Sequence, residues 1–270
     1  MLRRIASDEQ RMKAQDLLRA STSSQGYLKM SGAIRADQVL HDIEGEAIFG
    51  SGFYYTTVFG SPEDTNWAWM ITGHHMSAMF TVAGERTAFT PMFTGAQPLM
   101  IPSGVEAGWH VLPQDASRAS ELLASMTSAQ QGVAILGTQS PMDIVAGPGR
   151  QTALSTLQGI PAGQLDAPQQ RLMWLLVEEF VGNADFDAAD AQLALVQQTW
   201  SDMHFAWQGP PPSFEASYYF RVHGPRLLIE YDVQEPLSRN GGHVHAITRD
   251  PVNDYGMDWL GLHYQETSAR

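Results

Sequence analysis

The chain has 270 residues, of which 43% are hydrophobic and 10% aromatic, which is ample apolar material for a packed core. Its 29 acidic and 16 basic residues give a formal net charge of -13, which repels a phosphate backbone and argues against a nucleic-acid partner. The sequence contains no cysteine, so disulfides, thiolate zinc sites, iron–sulfur clusters and cysteine nucleophiles are excluded. Any metal must therefore be held by nitrogen and oxygen atoms.

The N-terminal segment lacks the apolar core of a signal peptide, and no run of about eighteen apolar residues follows it. We therefore expect no membrane partner and a cytoplasmic location, and a leader trimmed from the chain is left open. The oligomeric state is also left open.

Two kinds of periodicity locate the secondary structure. Apolar residues at helical spacing predict helices at 8–20, 113–136, 166–181 and 187–207, and a short final helix at 257–266. Runs rich in β-branched and aromatic residues predict strands at 52–59, 67–82, 216–223, 226–232 and 242–248. Residues 90–98 break regular structure and predict a loop packed over a pocket.

The β-rich runs are segregated from the long helices and do not alternate with them regularly. This order predicts an α+β fold, with a twisted, mainly antiparallel sheet flanked by helices. We expect a single domain over residues 1–270. Residues 137–163, rich in Gly, Pro, Ser and Thr, are a candidate flexible excursion.

The clearest chemical signal is the pair His243 and His245 in a predicted strand. Side chains two residues apart share one face of a strand, so both rings project to the same side as two metal ligands. Glu230 lies in an otherwise apolar strand, where a carboxylate must be paired, hydrogen-bonded or bound to a cation. Glu230 is therefore the predicted third ligand. The alternative for the two histidines is a solvent-exposed pair.

The adjacent His74 and His75 form the second candidate group. On a regular strand they face opposite sides, so one would reach a metal and the other would serve the core or donate a supporting hydrogen bond. A bulge or close backbone approach at Gly73 could turn both rings toward one pocket. The alternative is two structural histidines. We expect this cluster to meet the distant pair of His243 and His245 in space.

Four further polar residues are candidates for substrate binding and catalysis. Arg221 and Arg249 lie close in sequence to the ligands and could hold a substrate carboxylate in a bidentate pair. The alternatives are a solvated Arg221 and an ion pair between Arg249 and Asp250 that pins the turn. Asp254 and His263 could form a catalytic acid–base pair or orient the ligands, and a helix-surface position is the alternative for His263.

Seven segments occur in a characteristic order along most of the chain. They are 69–82, 90–98, 219–225, 228–232, 243–245, 249–250 and 253–258. Taken together they resemble domain-of-unknown-function family 3500, whereas each segment alone is weak. The resemblance implies no settled activity. Gly242 and Met79 stand where the family pattern has asparagine, which removes two polar groups from the neighbourhood of the predicted site.

Imidazole nitrogens and a carboxylate on strands are typical of catalytic sites for zinc, iron, copper or manganese, and ligand type alone does not choose among them. We therefore expect a metal-dependent enzyme acting on a small molecule, with a carboxylate-bearing one as a candidate. Iron or copper would indicate an oxidoreductase, and zinc a hydrolase. The alternative is a non-catalytic protein that binds a small molecule or a metal, with a structural metal or none.

Overall fold

The computed structural model of the chain describes residues 7–46 and 48–259. Its centre is an eleven-stranded sheet, in which one pair of neighbouring strands is parallel and the other described pairs are antiparallel. Helices flank this sheet, so the predicted α+β class is confirmed. Within the described ranges, no helix is both long and apolar enough to cross a membrane.

The elements follow one another along the chain with short 3₁₀ turns between some of them. The helices are α1 (Asp8–Ser21), α2 (Ser24–Glu44), α3 (Asp115–Ser125), α4 (Ser128–Ala134), α5 (Ala167–Val181) and α6 (Phe186–Gln198). The strands are β1 (Tyr55–Phe59), β2 (Asn66–Thr72), β3 (Met76–Ala83), β4 (Arg86–Ala88), β5 (Met92–Ala96), β6 (Ile135–Gly137), β7 (Ile160–Pro161), β8 (His204–Gln208), β9 (Tyr219–Gly224), β10 (Leu227–Glu235) and β11 (His243–Arg249).

The strand order across the sheet is β1-β2-β3-β5-β11-β10-β9-β8-β6, with β4 beside β3 and β7 beside β8. Strands from the first 96 residues therefore form one half of the sheet, next to a strand near the C-terminal end of the chain. The contact between β5 and β11 joins the two halves of the sheet.

Helix α2 is not among the predicted elements, although Met30, Ala33 and Leu40 are buried at helical spacing. The side chain of Ser23 accepts a hydrogen bond from the backbone N–H of Gly26 and caps the helix N-terminus. Asp37 falls in the same buried series as the three apolar residues, and it too is buried. A carboxylate on the core face of a helix needs partners, which the site provides.

Two predicted elements are divided in the structure. The predicted strand at 67–82 is a hairpin of β2 and β3, closed by a hydrogen bond from Gly73 N to Met76 O. The predicted helix at 113–136 consists of α3 and α4, which are separated because Thr127 begins α4 with a capping box.

Two further predictions differ in part from the structure, and a third falls largely outside the described residues. The predicted helix at 187–207 ends at Gln198, and its last residues form β8. The predicted loop at 90–98 contains β5, which lies between Pro91 and Pro98 and therefore has a strand length of only five residues. Most of the predicted helix at 257–266 lies outside the described residues.

The two faces of the sheet have different chemistry. One face carries buried apolar side chains such as Phe220, whose ring lies 6.3 Å from that of Phe180 on α5. We call the opposite face the histidine face, because His243 and His245 lie on it. Residues 138–159, which we call the covering segment, hold no described helix or strand and contact this face. The single-domain assignment of residues 1–270 remains a prediction.

Gly26 allows the first turn of α2 to pack against the turn that follows α5. A Cβ atom at residue 26 would lie 1.9 Å from the carbonyl oxygen of Asn183. We expect Gly26→Ala to lower the free energy of unfolding by about 1–3 kcal/mol, because one of the two backbones must move.

The matched control is Gly132→Ala in α4, where an added Cβ would have no atom within 4 Å. Alanine should stabilise this position by about 0.5–1 kcal/mol through its higher helix propensity. Urea denaturation monitored by circular dichroism measures both changes. Equal free energies of unfolding for the two variants would contradict the close packing at Gly26.

Candidate metal centre

His243 and His245 project together from β11. Val244 and Ala246 between and beside them are buried in the apolar core, so alternation turns both histidines to the opposite face. Their Nε2 atoms lie 3.1 Å apart. The predicted shared face of this pair is confirmed.

His75 approaches the same point from the hairpin between β2 and β3. Its Nε2 lies 3.1 Å from the Nε2 of His243, although 168 positions separate the two residues in the sequence. The strand order β3-β5-β11 explains this meeting, because only β5 lies between the two histidine-bearing parts of the chain. The predicted meeting of the two histidine groups is therefore confirmed.

The three rings fit a metal ion. Nitrogen ligands about 2.0–2.1 Å from zinc lie roughly 2.8–3.4 Å from one another at octahedral or tetrahedral angles, and the separations from His243 to His75 and to His245 are both 3.1 Å. Burial is the main cause that lowers the pKa of His243 to about 3, and the neighbouring imidazoles add to it. Burial also lowers the pKa of His245 to about 4. Both rings are therefore neutral at pH 7 and can offer lone pairs. His75, His243 and His245 could hold a metal ion.

Asp37 on α2 orients this group. The Nδ1 of His75 lies 2.6 Å from Asp37 Oδ1, and as the donor it leaves Nε2 free to face the other two histidines. His74 Nδ1 lies 3.1 Å from the same oxygen, and the hydroxyl of Tyr54 donates to Asp37 Oδ2. Burial alone would raise the pKa of Asp37, but these hydrogen bonds together hold it well below its usual range. The carboxylate is therefore charged and can offset a bound cation.

His74 lies beside the three converging nitrogens. Its ring centroid is 3.8 Å from that of His75, and its side chain is 32% exposed. Both rings reach Asp37 because they sit in the hairpin turn, where the alternation of a regular strand does not apply. Gly73 does allow the close approach that its sequence position suggests, since a Cβ there would lie 2.3 Å from the ring of Tyr54.

Asp37, His74 and His75 form a second group that could hold an ion. Within it, His75 faces Asp37 at hydrogen-bond distance through Nδ1. This contact is the usual way in which a carboxylate orients a histidine ligand. The second group is therefore best described as the support of the first.

Gly95 of β5 leaves the space that the rings occupy. It lies opposite His245 in the strand register. A Cβ at this position would lie 2.9 Å from the Cδ2 of His75 and 3.1 Å from the Cδ2 of His245. Any larger residue would push the two rings apart.

Two aspartates border His245 on the other side. Asp143 of the covering segment places Oδ1 3.4 Å from the Nδ1 of His245, and Gln234 places Nε2 2.9 Å from the same atom. Asp232 is directly opposite His245 in the strand register, and its Oδ1 accepts a hydrogen bond from Ser140. Burial raises the pKa of Asp232 to about 7, and its Oδ2 has no partner among the described residues.

Glu230 is not brought into the histidine group, although it lies on the same face of the sheet. Its carboxylate accepts hydrogen bonds from the backbone N–H groups of Val145 and Ala146 at 2.7 and 2.9 Å. The hydroxyl of Tyr219 donates a third at 2.7 Å. Glu230 therefore has the partners that a buried carboxylate needs, and they come from the covering segment and β9 rather than from a cation.

The two arginines are also engaged away from the histidines. Arg221 is buried and donates to Gln158 Oε1 of the covering segment. Arg249 donates to the carboxylate of Asp254 and to the carbonyl oxygen of Ala146. Since Arg249 follows His245 by four strand residues and His243 by six, this ion pair lies roughly 13–20 Å along β11 from the metal centre.

These contacts bear on the remaining predicted roles. The partner of Arg249 is Asp254, while Asp250 pairs with Arg226 in a bidentate contact. Asp254 is thus placed as a structural anion at the far end of β11, and the structure does not bring it to the histidines. His263 lies outside the described residues.

Sequence reasoning omitted Asp37, Tyr54 and Asp143. Asp37 had a detectable signal, because it occupies a core position of a helical series in which the other residues are apolar. Tyr54 and Asp143 lie in or next to irregular segments and show no periodic signal.

Replacing Asp37 should weaken metal binding through His75. Asp37→Asn keeps the shape of the side chain but removes the charge that His75 and His74 face. We expect the affinity for Zn²⁺ or Co²⁺ to fall by about 10–100-fold. Competition with a chromophoric chelator measures this change. The control is Asp42→Asn on the exposed side of the same helix, which should bind as tightly as the parent protein. Equal affinities for both variants would remove Asp37 from the site.

Comparison with known proteins identifies a family for the chain but assigns it no activity. No curated protein and no solved structure matches the chain. The family model described as "Protein of unknown function (DUF3500)" matches residues 2–257, which is nearly the whole chain. The match covers both histidine groups, Asp37 and the covering segment. The chain therefore belongs to the DUF3500 family.

Proposed function

We propose that this chain is a metal-dependent enzyme whose ion is bound by His75, His243 and His245. The observation that carries the proposal is the convergence of three Nε2 atoms, one of them on a ring oriented by a buried carboxylate. The three neutral imidazoles supply the lone pairs that a divalent cation requires, and the nearby charged Asp37 supplies the compensating negative charge.

The number of ligands favours catalysis over a structural role. Structural zinc sites are closed by four protein ligands, whereas catalytic sites keep a position for water or substrate. Three histidines make up this group within the described part of the chain. The side chain of His245 is 20% exposed, so a small molecule can approach the ion from solvent.

The donor set narrows the choice of metal. Imidazole nitrogen suits zinc, copper and iron, while manganese prefers oxygen ligands, which this set lacks without Glu230. Bound iron or copper would supply oxidation chemistry, and bound zinc would supply an activated water for hydrolysis. The chain's own contribution is to hold the three rings in place and to balance charge through Asp37.

The substrate is a small molecule. The carboxylate that the sequence suggested as its recognition group is not favoured, because Arg221 and Arg249 are both buried and donate to oxygens within the protein. Asp143 beside His245 also adds negative charge at the mouth of the site.

Metal analysis and ligand exchange test this proposal together. Protein purified without a histidine tag should contain about one transition-metal ion per chain. After replacement by Co²⁺, azide should change the visible absorption spectrum, because an open coordination position accepts it. A bound ion whose spectrum ignores azide would indicate a structural metal, and protein that never retains metal would indicate a metal-free binding protein.

Turnover is the second part of the test. The iron- or copper-loaded protein should consume oxygen with a reducing substrate, or the zinc-loaded protein should hydrolyse an activated ester such as 4-nitrophenyl acetate. Each rate should disappear on removal of the metal with a chelator. A rate unaffected by the chelator would contradict a metal-dependent reaction.

Substitutions should separate the ligands from Glu230. We expect His243→Ala and His245→Ala to lose the ion, because each removes one of three nitrogens, while circular dichroism of the variants stays close to that of the parent. Glu230→Gln should keep the ion but lower the free energy of unfolding by about 1–3 kcal/mol, because a buried acceptor of two backbone N–H groups is altered.

His204→Ala on β8 is the matched control, since His204 lies outside the histidine group. It should retain one ion per chain. Loss of metal in Glu230→Gln with retention in the two histidine variants would reverse the assignment.

A further inference from the structure

Among the described residues, a long irregular segment covers the histidine face on one side of the metal centre, and on the other side Tyr255 and Trp259 lie only at its far end. Over β9, β10 and β11 this face is covered by residues such as Ser140, Val145 and Gln158 of the covering segment. Over β5, β3, β2 and β1, many side chains on this face are half-buried or exposed. We call this uncovered part the trough.

The strand register defines the trough. Ser77 lies opposite Phe93 and Thr72, and Met79 lies opposite Met70, so these side chains share the face of His245. The ring of Phe93 is 5.1 Å from the ring of His245 and begins the trough at the metal centre. The trough residues on these strands include Phe93, Ser77, Thr72, Met79, Met70, Thr57, Tyr55 and Phe59, and none of these carries a charge.

An apolar cavity lies at the far end of the trough. It has a volume of about 390 Å³ and is bordered by Phe59, Trp67, Met79, Tyr255 and Trp259. Small-molecule sites are commonly cavities of roughly 300–1,000 Å³ with aromatic and aliphatic walls. Met79 belongs both to the trough and to the wall of this cavity, so the two are continuous.

The distance between the cavity and the metal centre suits a chain-like molecule. Met79 is about four strand residues and two strand spacings from His245, which corresponds to roughly 16 Å. An extended aliphatic chain of about ten carbons has a comparable length. One molecule could therefore contact the ion and the cavity at the same time.

Charge argues for a neutral molecule. The protein carries a formal net charge of -13, and Asp143, which is 51% exposed, lies beside His245. Arg221 and Arg249 both donate to protein oxygens. With a divalent ion bound, the charges of Asp37 and Asp143 balance it, so a neutral head group leaves the site balanced whereas an anionic one adds an uncompensated charge. Arg221 and Arg249 are buried and cannot reach such a head group.

We propose that the substrate is an uncharged molecule with an extended apolar chain, whose reactive end lies at the three histidines and whose apolar end lies in the cavity beside Met79. This inference rests on the proposed function, since the reactive end is placed by the metal centre. It replaces a carboxylate-bearing substrate with a neutral, chain-like one.

Displacement of a neutral dye tests whether the cavity binds the apolar end of the proposed substrate. N-phenyl-1-naphthylamine should bind and fluoresce, and 1-decanol should displace it at concentrations at least about tenfold lower than decanoate. Met79→Asn should weaken dye binding about tenfold, because it places a polar amide on the cavity wall. The matched control is Met12→Asn, at an exposed position of α1, which should leave dye binding unchanged.

Paramagnetic relaxation tests the link to the metal. In protein loaded with Co²⁺, the protons next to the hydroxyl of bound 1-decanol should relax faster than its terminal methyl protons, and zinc-loaded protein should show no such difference. Faster relaxation of the methyl end, or equal relaxation of both ends, would overturn the proposed orientation.

The remaining outcomes separate this inference from the proposed function. Cobalt binding without dye binding would overturn the inference alone, whereas dye binding without cobalt binding would overturn the proposed function. Equal displacement by decanoate and 1-decanol would refute the neutral head group. The protein without dye could also sediment as a dimer. If the Phe59→Asp variant then sediments as a monomer, a second copy of the chain occupies the trough.

Discussion

A buried carboxylate on α2, Asp37, accepts hydrogen bonds from His74 and His75 in the β2–β3 turn and from Tyr54. A buried charge is costly unless donors or cations surround it, so these contacts hold the helix and the turn together. The same contacts determine which nitrogen of His75 faces His243. A single ionised side chain thereby joins the packing of the fold to the geometry of the metal centre.

The sheet separates packing from chemistry. On one face, side chains such as Phe220 and Val244 are fully buried in the apolar core. On the other, Glu230 and Arg249 hold residues 145 and 146 of the covering segment by their backbone groups. Polar residues that look like ligands or substrate binders in the sequence therefore act as attachments for an irregular segment. Their position keeps Asp143 beside His245, and the covering segment does not extend over the trough.

The local periodicity of the sequence predicts the α+β class, most strands and the shared face of His243 and His245, because alternation and helical spacing are local properties. The prediction that the two histidine groups meet rests instead on their chemistry as metal ligands and on the non-local pairing that an antiparallel sheet allows. The strand character of β5 is hidden by its flanking prolines, and the role of Glu230 depends on backbone groups some 85 positions away. Partners of this kind are set by tertiary packing. Asp37 is the intermediate case, since apolar periodicity can locate its helix but cannot identify the residues that Asp37 contacts.

Gly95 has a consequence for other chains with this fold. The atoms that a Cβ would meet at this position belong to the rings of His75 and His245 and to the backbone at Val244. A relative with alanine or a larger residue here could thus keep every histidine and still hold the rings of His75 and His245 in a different arrangement. The presence of the ligands in a sequence is not sufficient evidence of a metal centre. Glycine at this position is therefore a second criterion, beside the three histidines, for expecting the same metal centre in a family member.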